Sequence, residues 1–324
     1  MRIVSLLPSA TDIVVALGLG QHLVAVSHSC DAPEVVGLPR ITRSILDDDL
    51  TPQQIDEAVA RAAHHNTPLY HVDARLLDTL QPDLVLTQGV CEVCAVSPNS
   101  PVDRWPESLP PHTRLLSLDA TTLDGVFEDI LAVGAVTETS TEAEAVVKTL
   151  RDRRDALRDT CPETRPSLLV LEWTEPPFYG GHWVPEMATL AGATTPLGGP
   201  GQPSGRATWD EIVGVDPDIV VVATCGDGLG ANVAHAKALF YHPDASRLTA
   251  VRQQRVWACD ANRFFSRPSV GLVRGAEVLR AIVAGGDIDP NEARRMSLLP
   301  ARRVAFKSTL SEHVSSEHVS SEPS

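Results

Sequence analysis

The side chains with the clearest chemical potential in this sequence are cysteines and histidines that stand close together. Cys91 and Cys94 form a Cys-x-x-Cys pair, and His28 and Cys30 are two residues apart. Thiolate and imidazole are ligands for zinc and iron, and a Cys-x-x-Cys pair can also cycle between thiol and disulfide. A zinc site needs four ligands, and a thioredoxin-type pair needs a helix directly after it, which Pro98 opposes. Metal binding and thiol redox chemistry both stay open on these residues.

Most of the candidate binding residues share a position just after a predicted strand. Short apolar runs at 3–6, 23–26, 84–86 and 219–222 are typical of buried strands. The candidates that follow these runs are Ser9, His28, Cys30, Gln88, Cys91, Cys94 and Cys225. In open parallel α/β sheets, ligands bind beyond the carboxyl ends of the strands. We therefore expect these side chains around one groove.

A loop rich in aromatics follows another predicted strand at 167–171, in a chain where aromatics are only 4% of the residues. Trp173 and Trp183 on such a loop can form flat walls for a large, partly apolar ligand. His182 lies beside Trp183 and adds an imidazole to the same loop. The candidate metal ligands are then Cys91, Cys94, His28 and His182.

Two positions could hold an anionic part of a ligand. The amides that open the helix after the first strand lie at Ser9, and helix N-termini attract anions. An ordinary capped turn is the alternative there. Arg267 could bind a carboxylate or a phosphate, with an ion pair on the protein surface as its alternative.

One long polar helix is predicted over residues 139–160. Ser/Thr and Glu residues begin it, Lys and Arg fill its second half, and Cys161-Pro162 ends it. About 22 residues at 1.5 Å each span roughly 33 Å, the width of a small domain. We interpret it as a strut between two lobes, and the alternative is a surface helix of one large domain.

The sequences on either side of this helix resemble each other. Asp73 can cap a helix that ends before Pro82, and Thr208 can cap a helix that ends before Pro217, with nine residues from cap to proline in both. A buried strand and then a cysteine follow each proline. The repeat predicts two related α/β lobes.

Composition excludes some function classes. The 27 basic and 42 acidic residues give a net charge of −15, without a basic run that would follow nucleic-acid phosphates. Apolar runs are much shorter than the roughly 20 residues that span a bilayer. Early Pro and Asp residues break the apolar start, so we expect a cytoplasmic protein as written, or an extracytoplasmic one if the start codon is misassigned.

The predicted organisation has four parts. The first lobe covers residues 1–136, the connecting helix 137–163 and the second lobe 164–299. Residues 300–324 contain a repeated Ser-Glu-His-Val-Ser pattern with no apolar content for a core, which predicts a disordered tail.

Several motifs resemble those of class III substrate-binding proteins of ABC importers, the clan that binds vitamin B12, ferric siderophores and haem. Its cobalamin-binding branch is the most similar. The motifs are IVSLLPSAT at 3–11, VSHSCD at 26–31, TQGVCEVCAVS at 87–97 and GHWVPE at 181–186. The resemblance covers about residues 2 to 285.

This resemblance implies two Rossmann-like lobes on a rigid helical backbone, with a ligand in the groove between them. It implies cobalamin, another corrinoid, haem or an iron chelate as the ligand, an ABC permease as a partner, and no enzymatic activity. A thiolate or imidazole would then take an axial position on the metal, with Trp173 and Trp183 against the macrocycle.

Two alternatives to the binding protein are retained. One is a cytosolic metalloprotein that holds zinc or iron through its Cys and His residues. The other is a thiol redox protein that uses Cys91 and Cys94.

Overall fold

Two separate β-sheets with one long helix between them organise the chain. The computed structural model describes residues 1–47, 50–65, 67–89, 96, 105–159 and 164–297. The strands of the first half are β1 (Ile3–Ser5), β2 (Leu23–Val26), β3 (Thr42–Ser44), β4 (Tyr70–Val72), β5 (Leu84–Thr87) and β6 (Arg114–Ser117). Its helices are α1 (Pro8–Ala16), α2 (Pro52–His64), α3 (Ala74–Leu80) and α4 (Leu123–Val136).

The first sheet is wholly parallel, in the order β2-β1-β5-β6. Because parallel neighbours need crossover connections, α1 lies in the link from β1 to β2 and α3 in the link from β2 to β5, whereas α4 follows β6 and leads to the second half. The pair β3 and β4 is a separate antiparallel ribbon, and α2 connects its two strands. Segment 42–72 is therefore an excursion from the first sheet.

The second half begins after helix α5 (Ser140–Asp159). Its strands are β7 (Leu168–Thr174), β8 (Pro177–Tyr179), β9 (Gly205–Arg206), β10 (Ile219–Val222), β11 (Val256–Cys259) and β12 (Ala293–Arg295). Its helices are α6 (Val184–Leu190), α7 (Trp209–Val215), α8 (Leu229–Ala238), α9 (Thr249–Arg252), α10 (Ala261–Phe264) and α11 (Leu272–Ala284). The sheet order is β12-β11-β10-β7-β8-β9, with β7, β10 and β11 parallel.

The two sheets share no strand, so the predicted α/β fold with two lobes is confirmed. The residue bounds predicted for each lobe stay a prediction. Of the predicted connecting helix, α5 forms the described part, while residues 160–163 lie outside the described residues. The predicted tail at 300–324 lies outside them as well.

Alternate residues along the central strands enter different cores. Leu168 and Val170 of β7 face a core that also contains α6 and α11, whereas Leu169 and Leu171 face a core on the other side of the sheet. This alternation follows from the two-residue period of a strand. Because both faces are covered, the strands read as continuous apolar runs.

The core between the lobes is continuous. It joins α1 and α4 of the first lobe to α6 and α11 of the second, and the strut helix α5 lies against both. The apolar stripe of α5 consists of Ala143, Val147, Leu150 and Leu157, at the spacing of one helix face. Ala145 lies outside this stripe, because it is exposed.

Neighbouring arginines on α5 reach different lobes. Arg153 forms a bidentate ion pair with Glu277 of α11, at 2.8 Å for both contacts. Arg154 pairs with Asp124 of α4 at 2.5 Å, and its guanidinium lies over the ring of Phe127. Polar contacts thus fix the strut to both lobes in addition to the apolar stripe.

The internal repeat is confirmed in its local geometry. The side chains of Asp73 and Thr208 accept hydrogen bonds from the amides three residues later, and each begins a helix of seven residues. Gln81 and Asp216 end these helices in the left-handed conformation, with φ of 44° and 37°, directly before a proline. Proline disfavours the α conformation of the residue before it, which explains why both helices stop there.

The first helix opens directly after the first strand. Helix α1 starts at Pro8, and no side chain caps it. Proline has a fixed φ and no amide hydrogen, so it suits the first position of a helix. Ser9 and Thr11 are therefore buried helical residues.

Candidate functional site

The loops at the carboxyl ends of the strands bring the two lobes together. We call this region the interlobe site and define it by residues 27–31 and 117–123 of the first lobe and 180–186, 223–227 and 265–269 of the second. Direct contacts between these loops connect the lobes on opposite sides of the site. The predicted placement of binding loops beyond the carboxyl ends of strands agrees with this arrangement.

A buried ionic cluster forms one side of the interlobe site. Arg267 donates to both oxygens of Asp31, at 2.6 and 2.9 Å, and lies 3.9 Å from Asp12 Oδ2. Ser269 Oγ donates to the same Asp12 oxygen at 3.3 Å. Arg267 and Ser269 belong to the second lobe, whereas both carboxylates belong to the first. The cluster therefore spans the two lobes.

The pKa values of the two carboxylates shift in opposite directions. Burial raises the pKa of Asp12 from 3.8 to about 6, against the attraction of Arg267, which lowers it. The hydrogen bonds from Arg267 lower the pKa of Asp31, whose side chain is 60% exposed. At neutral pH the cluster holds one guanidinium between two ionised carboxylates.

A second interlobe contact lies at the start of α4. The carboxylate of Glu186, in the first turn of α6, accepts a hydrogen bond of 2.7 Å from the amide of Leu123. Leu123 is the first residue of α4, where the amides have no partner within the helix. Glu186 therefore caps a helix of the other lobe, and it is not a metal ligand in this arrangement.

The loop that carries His182 is held in an unusual conformation. His182 has φ of +52°, and its amide donates to Gln202 O at 2.5 Å. At Gly181 a Cβ atom would lie 2.2 Å from the amide nitrogen of Ser204, so only glycine fits there. Two close backbone contacts thus hold the His182 loop against the loop at 201–204.

His182 has properties that suit a neutral imidazole ligand. Burial lowers its pKa, and its ring lies 5.5 Å from the Trp183 ring. Its Nδ1 is buried, and among the described residues it has no hydrogen-bond partner. A buried nitrogen without a partner is costly, and left-handed non-glycine residues concentrate at functional sites. His182 is the candidate whose geometry best fits ligand contact.

Trp173 reaches from the second lobe to the excursion of the first. It lies near the end of β7 and is partly buried, and its indole nitrogen donates to Pro52 O at 3.3 Å and to Glu175 O at 3.1 Å. Arg206 and Asp56 lie 3.6 Å apart on the same side. The first turn of α2 is therefore next to the strand end that carries Trp173.

His28 lies at the interlobe site but is occupied by local contacts. Its Nδ1 is 2.7 Å from Thr42 Oγ1, its amide donates to the same hydroxyl at 3.0 Å, and its ring lies 5.4 Å from Tyr70. The side chain is nevertheless exposed. These contacts orient His28, and its role as a metal ligand stays a prediction.

Three candidates are engaged by other parts of the protein. Cys30 is 3% exposed, its thiol contacts Thr11 and Ser27, and burial raises its pKa. Trp183 is 7% exposed in the shared core and donates to Phe265 O at 2.7 Å. Arg267 belongs to the ionic cluster. The roles of these three side chains in ligand binding stay predictions.

The remaining candidates divide into three kinds. Ser9 and Gln88 are buried, at 3% and 6% exposure. Cys225 is partly exposed at the end of β10, and its amide donates to Glu172 O. Cys91 and Cys94 lie outside the described residues, and their placement at the site stays a prediction.

Some residues of the site were missed by sequence reasoning. Asp12 and Asp31 are ordinary polar residues in the sequence, and their partner Arg267 is 236 residues from Asp31. A signal for Asp31 exists, because it directly follows the motif that contains His28 and Cys30.

Metal binding has limited support in the described part of the chain. Its His, Cys, Asp and Glu side chains form no group of three or more that could hold an ion. A cavity of about 570 Å³ does exist in the first lobe, lined in part by Ile3, His22, Asp83 and Arg114. It lies at the amino-terminal ends of β1 and β6, opposite to the interlobe site.

Two α/β lobes that share a backbone helix and meet at their strand-end loops define a bilobal solute-binding protein. The model of the periplasmic binding protein family matches residues 3–262, which is most of the chain. The chain therefore belongs to this family, and the expected likeness to class III substrate-binding proteins is confirmed.

Relatives extend this result. The vitamin B12-binding protein of Vibrio cholerae is 24% identical over 280 residues, which cover 83% of each chain. The vitamin B12-binding protein of Yersinia pestis is 22% identical over 225 residues, 68% of this chain and 69% of the relative. Both relatives are vitamin B12-binding proteins.

Solved structures agree on the fold. The periplasmic haem-binding protein HutB of Vibrio cholerae gives a TM-score of 0.66 at 20% identity, covering 87% of this chain and 98% of that one. The periplasmic vitamin B12-binding protein BtuF of the same organism gives 0.58 at 20% identity, covering 87% and 96%. In the part of the chain that the structure describes, no helix is both long and apolar enough to cross a bilayer.

Proposed function

We propose that this protein binds cobalamin, another corrinoid or a related metal chelate at the interlobe site, and that it serves ABC-type uptake. The observation that carries the proposal is the relationship over 83% of the chain to a vitamin B12-binding protein, combined with two lobes that meet at their strand-end loops. The relationship to an ABC transporter substrate-binding protein from Listeria monocytogenes supports the uptake role.

The described residues suggest how such a ligand would be held. Trp173 is a partly buried aromatic at a strand end, and a flat ring of this kind packs well against a macrocycle. His182 supplies an imidazole that burial keeps neutral. Its buried Nδ1 has no hydrogen-bond partner among the described residues, which is energetically unfavourable. Imidazole is an axial ligand of haem iron, and the same lone pair suits cobalt. Cys225 lies at the adjacent strand end.

The test is a titration of ligand-free protein with cyanocobalamin, dicyanocobinamide and haemin, followed by visible spectroscopy. We expect a saturable change with at least one of them. Trp173→Ala should weaken that binding by about 30-fold or more, because a buried aromatic contact is worth about 2 kcal/mol. Loss of axial coordination in His182→Ala should change the spectrum of the bound chelate as well as its affinity.

Matched controls come from the second lobe. The rings of Trp209 and His242 contact each other with centroids 4.7 Å apart, on α7 and the segment after α8, and neither residue belongs to the loops that define the interlobe site. Trp209→Ala and His242→Ala should therefore bind the chelate like the parent. Absence of binding of all three chelates, or equal affinity of Trp173→Ala and Trp209→Ala, would contradict the proposal.

The metalloprotein alternative needs a separate test. Its main candidate ligands, Cys91 and Cys94, lie outside the described residues. Metal analysis of protein purified without a histidine tag distinguishes the classes. Stoichiometric zinc or iron that Cys91→Ser removes would favour direct metal binding over chelate binding.

A further inference from the structure

The ionic cluster of Asp12, Asp31 and Arg267 is one of the contacts that connect the lobes, and Arg267 is its buried centre. Arg267 is 11% exposed, and both of its terminal nitrogens are bound to Asp31. Asp12 is 24% exposed and accepts a hydrogen bond from the hydroxyl of Ser269 in the second lobe. Separation of the lobes at this point would bring water to Asp12 and Arg267.

The charges around Asp12 are unbalanced at neutral pH. Arg267 is its cationic neighbour, whereas Asp31 and Glu34 are anionic neighbours that raise its pKa further. Asp31 is already neutralised by its bidentate pair with Arg267. Ionised Asp12 is therefore the carboxylate that the cluster accommodates least well.

The cluster also holds the loop at 27–31. The guanidinium of Arg40 donates to Ser27 O and Cys30 O, at 3.1 and 2.7 Å, from within the first lobe. Arg267 holds Asp31 from the second lobe. Cys30 belongs to the loop that these two arginines hold, and its thiol contacts Thr11 of the helix that carries Asp12.

We propose that Asp12, Asp31 and Arg267 form an interlobe latch that positions the loop at 27–31, and that the latch tightens when Asp12 takes up a proton. Protonated Asp12 keeps its hydrogen bond with Ser269, while Arg267 stays neutralised by Asp31. The buried cluster then contains one cation and one anion. Acidification therefore favours the latched arrangement over the separated one.

The size of the effect follows from linkage between protonation and opening. In the latched state Asp12 has a pKa of about 6, and in water it returns towards 3.8. The latched state therefore binds the proton more tightly. Between about pH 4 and pH 6, each unit of acidification raises the ratio of latched to separated molecules by up to about tenfold.

The test uses the native cysteines and no ligand, so its outcome does not depend on the proposed function. The rate at which dithiodipyridine labels Cys30 is measured by peptide mass spectrometry. The labelling rate of the unfolded protein at the same pH is then divided by this native rate. The resulting protection factor reports access to the loop at 27–31. Cys259, fully buried in the second lobe at the end of β11, reports global unfolding in the same sample.

We expect the protection of Cys30 to rise by up to about tenfold from pH 7.5 to pH 5, with little change at Cys259. Asp12→Asn, which keeps the shape and cannot ionise, should show high protection at both pH values. Arg267→Lys, which keeps the charge but not the bidentate contact, should lower Cys30 protection throughout.

The control is Asp129→Asn, because burial also raises the pKa of Asp129 to about 6 but its contact is within the first lobe. This variant should keep the parent's pH profile at Cys30. The latch would be overturned if the pH dependence of Cys30 protection persisted in Asp12→Asn or disappeared in Asp129→Asn. A parallel pH dependence of Cys259 protection would also overturn it, because it would indicate global unfolding.

Discussion

Replacement of Asp129 by asparagine should stabilise this protein at neutral pH and leave it unchanged in acid. Asp129 lies in α4 and accepts a hydrogen bond of 3.2 Å from the amide of Ala120. Burial raises its pKa from 3.8 to about 6, and Asp119 and Glu128 raise it further, against the hydrogen bonds that lower it. The asparagine oxygen can accept the same hydrogen bond without the buried charge.

The sign and size of the change follow from the two pKa values. The folded pKa lies above the unfolded one, so the folded state binds more protons between pH 4 and pH 6. The free energy of unfolding therefore falls as pH rises through this window. A shift of 6 minus 3.8 units, at 1.36 kcal/mol each, sets an upper limit of about 3 kcal/mol at pH 7.5.

Thermal unfolding at pH 4 and pH 7.5 measures this effect. At pH 7.5 the melting temperature of Asp129→Asn should exceed that of the parent by up to about 6 °C, and at pH 4 the two should coincide. An asparagine variant that is less stable than the parent at pH 7.5, or equally shifted at both pH values, would refute the reasoning that burial of the charge dominates.

Three further predictions concern other parts of the molecule. Glu186→Ala should lower stability by about 1 kcal/mol in denaturant unfolding, because the amide of Leu123 loses its cap, whereas Glu186→Gln should cost less. Gly181→Ala should destabilise by about 1 to 3 kcal/mol, since its Cβ would lie 2.2 Å from the Ser204 amide nitrogen; an unchanged melting temperature would contradict this. Deletion of residues 301–324 should leave both the melting temperature and chelate titrations unchanged, and a large loss in either would assign the tail a structural role.

Features set by neighbouring residues could be predicted well. The helix caps at Asp73 and Thr208, and the stops before Pro82 and Pro217, depend on interactions within a few residues. The helix α2 after Thr51 is of the same kind, because Thr51 and Gln54 form a capping box at its start. Local hydrogen bonding and proline sterics determine such features, and both are visible in sequence.

Whether each candidate side chain is engaged by other parts of the protein could not be predicted in the same way. Cys30, Trp183 and Arg267 have suitable chemistry and follow strands, yet each is occupied by partners on distant segments. Trp183 donates to a carbonyl 82 residues away, and Arg267 binds a carboxylate 236 residues away. Spacing along the chain gives no measure of such partners.

The sequence by itself determined the repeat, the long helix and the two α/β lobes, and it predicts that binding loops gather at the carboxyl ends of the strands. Only the tertiary structure decided which of those loop residues contact the other lobe and which stay partly exposed, as Trp173 and Cys225 do. The physical reason is that strand periods and helix caps depend on local energies, whereas burial of Asp12 or His182 depends on how two lobes pack. Packing also sets the pKa values, since removal of water from a charge requires the opposite surface to be in place.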